Sequence, residues 1–199
     1  MNNENLLILD IDETLIHSSE KELSIPYDFY ILNTYYVYKR PFLIEFLDWA
    51  FSKFQIGIWS AAGEIYVKHI LSLILNDNQI PKFIYHSKNC TRKFDIDPYN
   101  GEYPCIYDAK RIQKLKKRYN LSRILVLDDN IKAHCHNYGN LVHIKEFNPS
   151  KEDDALIMIQ PYIEAWFKEK DVRTIEKRFW STSGELGRSE ALFLPSTTQ

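Results

Sequence analysis

The stretch that most constrains this chain is Leu6-Leu7-Ile8-Leu9-Asp10-Ile11-Asp12-Glu13-Thr14-Leu15. A short, unbroken apolar run that enters two carboxylates reads as a strand buried on both faces, as in parallel α/β sheets. Asp10 and Asp12 then lie at its C-terminal mouth, beside the crevice where open parallel sheets bind ligands. Carboxylates this close repel, so one must hold a proton or face a cation. A hard divalent metal on Asp10, with Asp12 free to shuttle a proton, meets that demand. A solvated strand end is the plainer reading of the pair, and the rest of the chain must decide between them.

Ile124-Leu125-Val126-Leu127-Asp128-Asp129-Asn130 repeats the pattern. A solvated turn explains either pair alone. Two parallel strands that both end in acids at one sheet edge would gather three or four carboxylates, an arrangement unstable without a divalent cation.

Other segments supply the rest of a sheet-and-helix alternation. Lys39-Arg40-Pro41 opens a predicted helix with Pro in its first turn, and Phe42, Leu43, Phe46, Leu47, Ala50 and Phe51 form its apolar stripe. The next strand, ending at Trp59, runs into Ser60-Ala61-Ala62-Gly63 and a helix whose inner face is predicted to hold Ile65, His69, Ile70 and Leu73. There Ser60 and free backbone N–H groups can receive an anion, or Ser60 can cap the helix; both roles use the same donors. Lys82-Phe83-Ile84-Tyr85 is a third short strand. Asp97-Pro98-Tyr99-Asn100-Gly101 signals a hairpin within a small β insertion over about 86–107.

Asp108-Ala109-Lys110 is expected to begin a helix containing Ile112, Leu115 and Tyr119. A lysine there opposes the helix dipole by some tenths of a kcal/mol, which weakly favours a functional charge. Leu141-Val142-His143-Ile144 reads as the last core strand. A closing helix from about Glu152 turns Leu156, Ile159, Ile163, Trp166 and Phe167 inward, with a kink at Pro161. Residues 16–38, mixed polar and aromatic, read as a β-hairpin flap, whose Tyr27, Phe29 and Tyr30 pack on one another or grip a substrate chain.

With 199 residues, 45% of them hydrophobic, the chain can build one domain, expected over 1–178. Residues 179–199, rich in Ser, Thr and Gly, are expected to form a mobile tail. A net charge of −2 lacks the basic field of a nucleic-acid binder. Lys114, Lys116, Lys117 and Arg118 read as a solvated helix face. The start carries no leader and no run reaches membrane-spanning length, so the expected setting is cytoplasmic, or nuclear in a eukaryote. Cys90, Cys105 and Cys135 suit reduced thiols, and His134-Cys135-His136 is too tightly spaced to face one zinc ion.

Taken in order, these places resemble the haloacid dehalogenase superfamily, and within it the branch of small C-terminal-domain phosphatases and NLI-interacting-factor-like proteins. Asp10-Ile11-Asp12-Glu13-Thr14 is similar to its first motif and Trp59-Ser60-Ala61 to its second. Cys90-Thr91-Arg92, then Tyr107 to Lys110, is similar to its β insertion and third motif, and Leu127-Asp128-Asp129 to its fourth. The resemblance, from about Leu6 to Phe167, implies an α/β fold: a Rossmann-like parallel sheet flanked by helices, with no large cap domain. It implies Mg²⁺, Asp10 as nucleophile and metal ligand, and Asp12 as general acid/base that also binds the metal through its backbone carbonyl. Thr14, Ser60 and Ala61 would hold phosphate, Lys110 would neutralise it, and Asp128 and Asp129 would complete the metal site.

The sequence departs from the branch in two places. Lys110 is followed by Arg111 and Ile112 rather than an acid and Leu, and Glu20 stands after Ser18-Ser19 where polymerase-tail phosphatases carry an aromatic residue. The expected activity is hydrolysis of phosphate monoesters through a phosphoaspartate, with a phosphorylated protein as substrate and Ser/Thr favoured over Tyr. A phosphatase of metabolites, nucleotides or polynucleotide ends stays open, as does a non-catalytic binding module.

Overall fold

The computed structural model describes residues 4–95, 105–178 and 180. In chain order its elements begin with β1 (Leu6–Leu9), β2 (Ile16–Ser19), β3 (Phe29–Ile31), β4 (Tyr35–Lys39), α1 (Leu43–Lys53), β5 (Gln55–Trp59) and α2 (Glu64–Ile74). They continue with β6 (Phe83–Tyr85), β7 (Thr91–Asp95), β8 (Cys105–Ala109), β9 (Ile124–Asp128), β10 (Leu141–His143), α3 (Ala155–Met158) and α4 (Gln160–Trp166).

The apolar runs that precede the acids form the centre of the sheet. β1 and β9 are buried along their whole length, as a strand covered by helices on both faces must be. The sheet order is β10-β9-β1-β5-β6, and every pairing is parallel. Leu9 sits opposite both Leu127 and Ile58. That register carries Asp10, Asp128 and Ser60 to the same edge, and Asp10 N extends the ladder to Leu127 O at 3.1 Å. β6 comes so close to β5 that a Cβ on Gly57 would lie 2.4 Å from the Phe83 ring.

The flap is a three-stranded antiparallel sheet of order β2-β4-β3 rather than a simple hairpin. The insertion is the β7-β8 hairpin, paired from Thr91↔Ala109 to Asp95↔Cys105, and its expected turn at 97–101 lies outside the described residues. Among the described residues these two small sheets are all that is added to the body. No helix of the described residues is long and apolar enough to cross a membrane.

Several predicted helical features differ. Pro41 precedes α1 instead of entering its first turn. The N-cap is Phe42, exposed and at φ 62°, while Leu43, Phe46, Leu47 and Ala50 form the buried stripe. In α2 the buried positions are Val67, Ile70, Leu71 and Ile74, and Ile65 is 74% exposed. Positions 67, 70, 71 and 74 share one helical face, and Ile65 lies on the far side of it. The predicted stripe was therefore rotated, with only Ile70 correctly inward.

Lys110 does not begin a helix. Pairing with β7 keeps the chain extended to Ala109, and only a short 3₁₀ turn, Ile112–Leu115, follows, although Ile112 and Leu115 are buried as expected. Lys114, Lys116, Lys117 and Arg118 are exposed, on this turn and the loop after it rather than on a helix face. The closing helix is two helices broken at Ile159. Pro161 sits in the first turn of α4, where its missing N–H costs nothing, and Leu156, Ile159, Ile163, Trp166 and Phe167 are all buried. Trp180 is only 6% exposed and donates its indole N–H to His143 O at 2.9 Å, so ordered packing reaches past the expected boundary at 178. The rest of the expected tail lies outside the described residues.

Candidate active site

The site grows from the turn that follows β1. Glu13 adopts φ 59°, and the chain reverses at once: Glu13 N donates to Ile16 O at 2.7 Å. The flap thus starts within a few residues of Asp12, and both acids stay at the mouth.

Lys110 leaves the end of β8 and is buried between two strand ends. Its Nζ donates to Asp10 Oδ1 at 2.6 Å and to Asp128 Oδ2 at 2.5 Å. Asp10, Asp128 and Asp129 offer carboxylate oxygens that all lie within 4.8 Å of one another. Burial penalises the lysine's charge, but the flanking Asp10 and Asp128 outweigh that and raise its pKa. Burial likewise works to raise Asp128, but the charge of Lys110, with hydrogen bonds from Lys110 and His134, holds its carboxyl well below the usual range. Burial, then repulsion from Asp128, raises Asp10, and the same two causes push Asp129 up to about 6. One lysine thus faces more negative charge than it can neutralise.

Thr14 is fully buried. Its hydroxyl donates to Asp129 Oδ1 at 3.1 Å and accepts from Asp129 N at 3.2 Å, tying the first strand end to the fourth-motif loop. In this arrangement the Thr14 hydroxyl stands at the mouth beside Asp129, engaged as Ser60 Oγ is, by one donated and one accepted hydrogen bond.

Asp12 turns the other way, toward the flap and α2. Ser60 Oγ donates to its Oδ2 at 3.3 Å and itself accepts from Ala62 N at 3.0 Å. Tyr66 Oη lies 2.5 Å from Asp12 Oδ1 and 2.8 Å from Ser18 Oγ; with one proton to give, it donates to the carboxylate. Burial raises the Asp12 pKa in spite of these donors. Ala61 is exposed on the turn beside Ser60.

The structure therefore brings Asp10, Asp12, Ser60, Lys110, Asp128 and Asp129 to one edge and makes Thr14 their buried tie. Sequence reasoning missed Tyr66 and Ser18, which the placement of α2 and of the flap's first strand brings to Asp12. It saw His134 but weighed it only as a zinc ligand; the ring is instead buried against Asp128, with Nε2 2.9 Å from Oδ2.

Sheet order and mouth together define the class, a parallel α/β fold that gathers acids and one lysine at the C-terminal edge of its strands. Comparison with known proteins narrows this further. The chain belongs to the NLI interacting factor-like phosphatase family, whose profile matches residues 5–173, and is accordingly a phosphoric monoester hydrolase. It is 26% identical over 187 residues to CTD nuclear envelope phosphatase 1B of Danio rerio, covering 87% of this chain and 71% of that one. It is 26% identical over 175 residues to CTD small phosphatase-like protein 2 of Dictyostelium discoideum, covering 84% of this chain but 28% of that larger protein. A solved structure of an uncharacterised protein from Listeria monocytogenes serotype 4b is similar in fold, with TM-score 0.50 and 18% identity over 82% of this chain and 98% of that one.

Proposed function

We propose that the chain is a Mg²⁺-dependent protein phosphatase that removes phosphate from serine or threonine through a phosphoaspartate on Asp10. The observation that carries this reading is the convergence of Asp10, Asp128 and Asp129 within 4.8 Å around one lysine, with Asp12 held apart on the flap side. An all-oxygen donor set with surplus negative charge fits a hard dication such as Mg²⁺ better than zinc. Asp10, Asp128 and Asp129 would hold it by side chains and Asp12 by its backbone carbonyl; when bound, it would neutralise the phosphoryl oxygens and hold them in line.

In this mechanism a carboxylate oxygen of Asp10 attacks phosphorus as the ester P–O bond breaks. Asp12, whose pKa burial raises, gives its proton to the leaving alkoxide. Asp12 then takes a proton from the water that attacks the aspartyl phosphate, and inorganic phosphate leaves with Asp10 regenerated. Lys110 offsets charge on the transferring group. Thr14, Ser60 and the Ala61 turn receive the equatorial oxygens, and Thr14 also ties Asp129 to the first strand end.

A protein substrate is supported by the mouth, to which the described residues add a flap and a hairpin and no enclosing cap, and by relatives named CTD nuclear envelope phosphatase and CTD small phosphatase-like protein. We place the catalytic unit in a single domain within 1–178 and its work in the cytoplasm or nucleus.

The test is hydrolysis of p-nitrophenyl phosphate, a phosphopeptide panel and a metabolite phosphate panel, with and without Mg²⁺. Asp10→Asn is expected to abolish turnover with the fold intact, and Asp12→Asn to lower it by roughly 10²–10⁴. Wild-type turnover by folded Asp10→Asn protein would remove the nucleophile assignment. A preference for metabolites over every phosphopeptide would remove the protein substrate.

A further inference from the structure

We infer that His134 is a positioning residue of the metal site, which orients Asp128 through an imidazole ring that is itself held in place by Asn137. The inference rests on the metal-site reading above and adds a residue to it.

His134 closes the 3₁₀ turn Ile131–His134 just beyond β9 and is completely buried. Its Nε2 lies 2.9 Å from Asp128 Oδ2, and its Nδ1 lies 2.7 Å from Asn137 Nδ2. Asn137 is itself buried, and its Oδ1 accepts the backbone N–H of Ile112 at 3.4 Å. A backbone N–H can only donate, so the amide oxygen must face Ile112 and the NH₂ group must face the imidazole. Nδ1 is then the acceptor, the ring proton sits on Nε2, and it is donated to Asp128.

The same turn reaches the lysine, since Ala133 O accepts Lys110 N at 2.8 Å. Asp128 Oδ1 is fixed in turn by Asn130 N at 2.8 Å. Both oxygens of Asp128 are thus held by the segment 130–134, Oδ2 jointly with Lys110. The ordering of the fourth-motif carboxylate and of the third-motif lysine comes from one short turn. A residue that merely filled space here would be aliphatic. A buried imidazole with both nitrogens engaged is expected where the direction of a carboxylate matters, because outer partners of ligating groups set their orientation and basicity.

The experiment is direct Mn²⁺ binding, followed by electron paramagnetic resonance on the full chain without substrate, beside thermal melts without metal. Compared with wild type, His134→Phe is expected to bind Mn²⁺ roughly 10–100-fold more weakly. His134→Gln, whose terminal amide can still donate to Asp128, is expected to recover most of that loss. Asn137→Ala keeps the imidazole but frees its tautomer, and is expected to weaken binding in the same direction by a smaller factor. It carries the test if His134→Phe does not fold.

Wild-type affinity in folded His134→Phe or in Asn137→Ala protein overturns the inference, as does equal loss in the Phe and Gln variants. Those results leave the metal site standing. Absence of Mn²⁺ binding by the wild type overturns the metal site itself and this inference with it.

Discussion

Asp129 shows how the neighbours of one residue set its chemistry. Burial and the adjacent Asp128 push its pKa from an ordinary 3.8 to about 6, so the metal-free fold prefers it protonated. A carboxyl raised in this way contributes stability below about pH 4 that is lost as pH rises through about 6. A bound dication needs the ionised form and reverses the preference. Mg²⁺ should therefore raise the melting temperature more near pH 7.5 than near pH 5. Melting curves at both pH values with and without Mg²⁺ check this, and an equal shift at the two would count against Asp129 as a ligand. At this scale the sequence was informative about the acids, because each follows its apolar run directly. It was uninformative about the tie that Thr14 makes to Asp129, a residue 115 positions away.

Between elements, the buried Arg40 joins four parts of the chain. Its guanidinium grips both oxygens of Asp153 at 2.8 Å and donates to Thr14 O at 3.0 Å and Lys145 O at 2.9 Å. The end of the flap, the turn after β1, the loop after β10 and the approach to α3 are thereby fixed to one another. Arg40→Met strands the carboxylate and the two carbonyls and should cost about 3–5 kcal/mol in urea denaturation. Arg40→Lys should recover little of it, since an ammonium cannot reproduce the two-pronged contact. The sequence showed Arg40 only as the lead into a helix. The rotated stripe of α2 has a similar origin: apolar residues occur on more than one of its faces, and which face is buried depends on where the helix starts above the sheet.

For the molecule as a whole, Trp180 packs with Tyr162 at a ring separation of 6.3 Å and bonds to His143 O at the end of β10. Trp180→Ala should destabilise the fold by about 3–5 kcal/mol while leaving p-nitrophenyl phosphate turnover near wild type at low temperature. Chemical denaturation and kinetics on the same preparation would separate the two effects, and a matching fall in turnover would tie Trp180 to the site. This packing was invisible in a stretch read by composition, because a single tryptophan before a Ser/Thr/Gly-rich run gives no periodic signal.

What the sequence by itself determined is local: two apolar runs tipped with acids, a strand ending in Ser60, and the alternation that makes a parallel sheet. These are properties of neighbouring residues, and burial on both faces leaves a short apolar run few other fates. The tertiary structure alone decided which side chains meet. Lys110 lies between Asp10 and Asp128 because the hairpin ends on a strand instead of opening a helix. Tyr66 reaches Asp12, and His134 reaches Asp128, because helix placement and strand register are set by packing across the whole core, which no local pattern encodes.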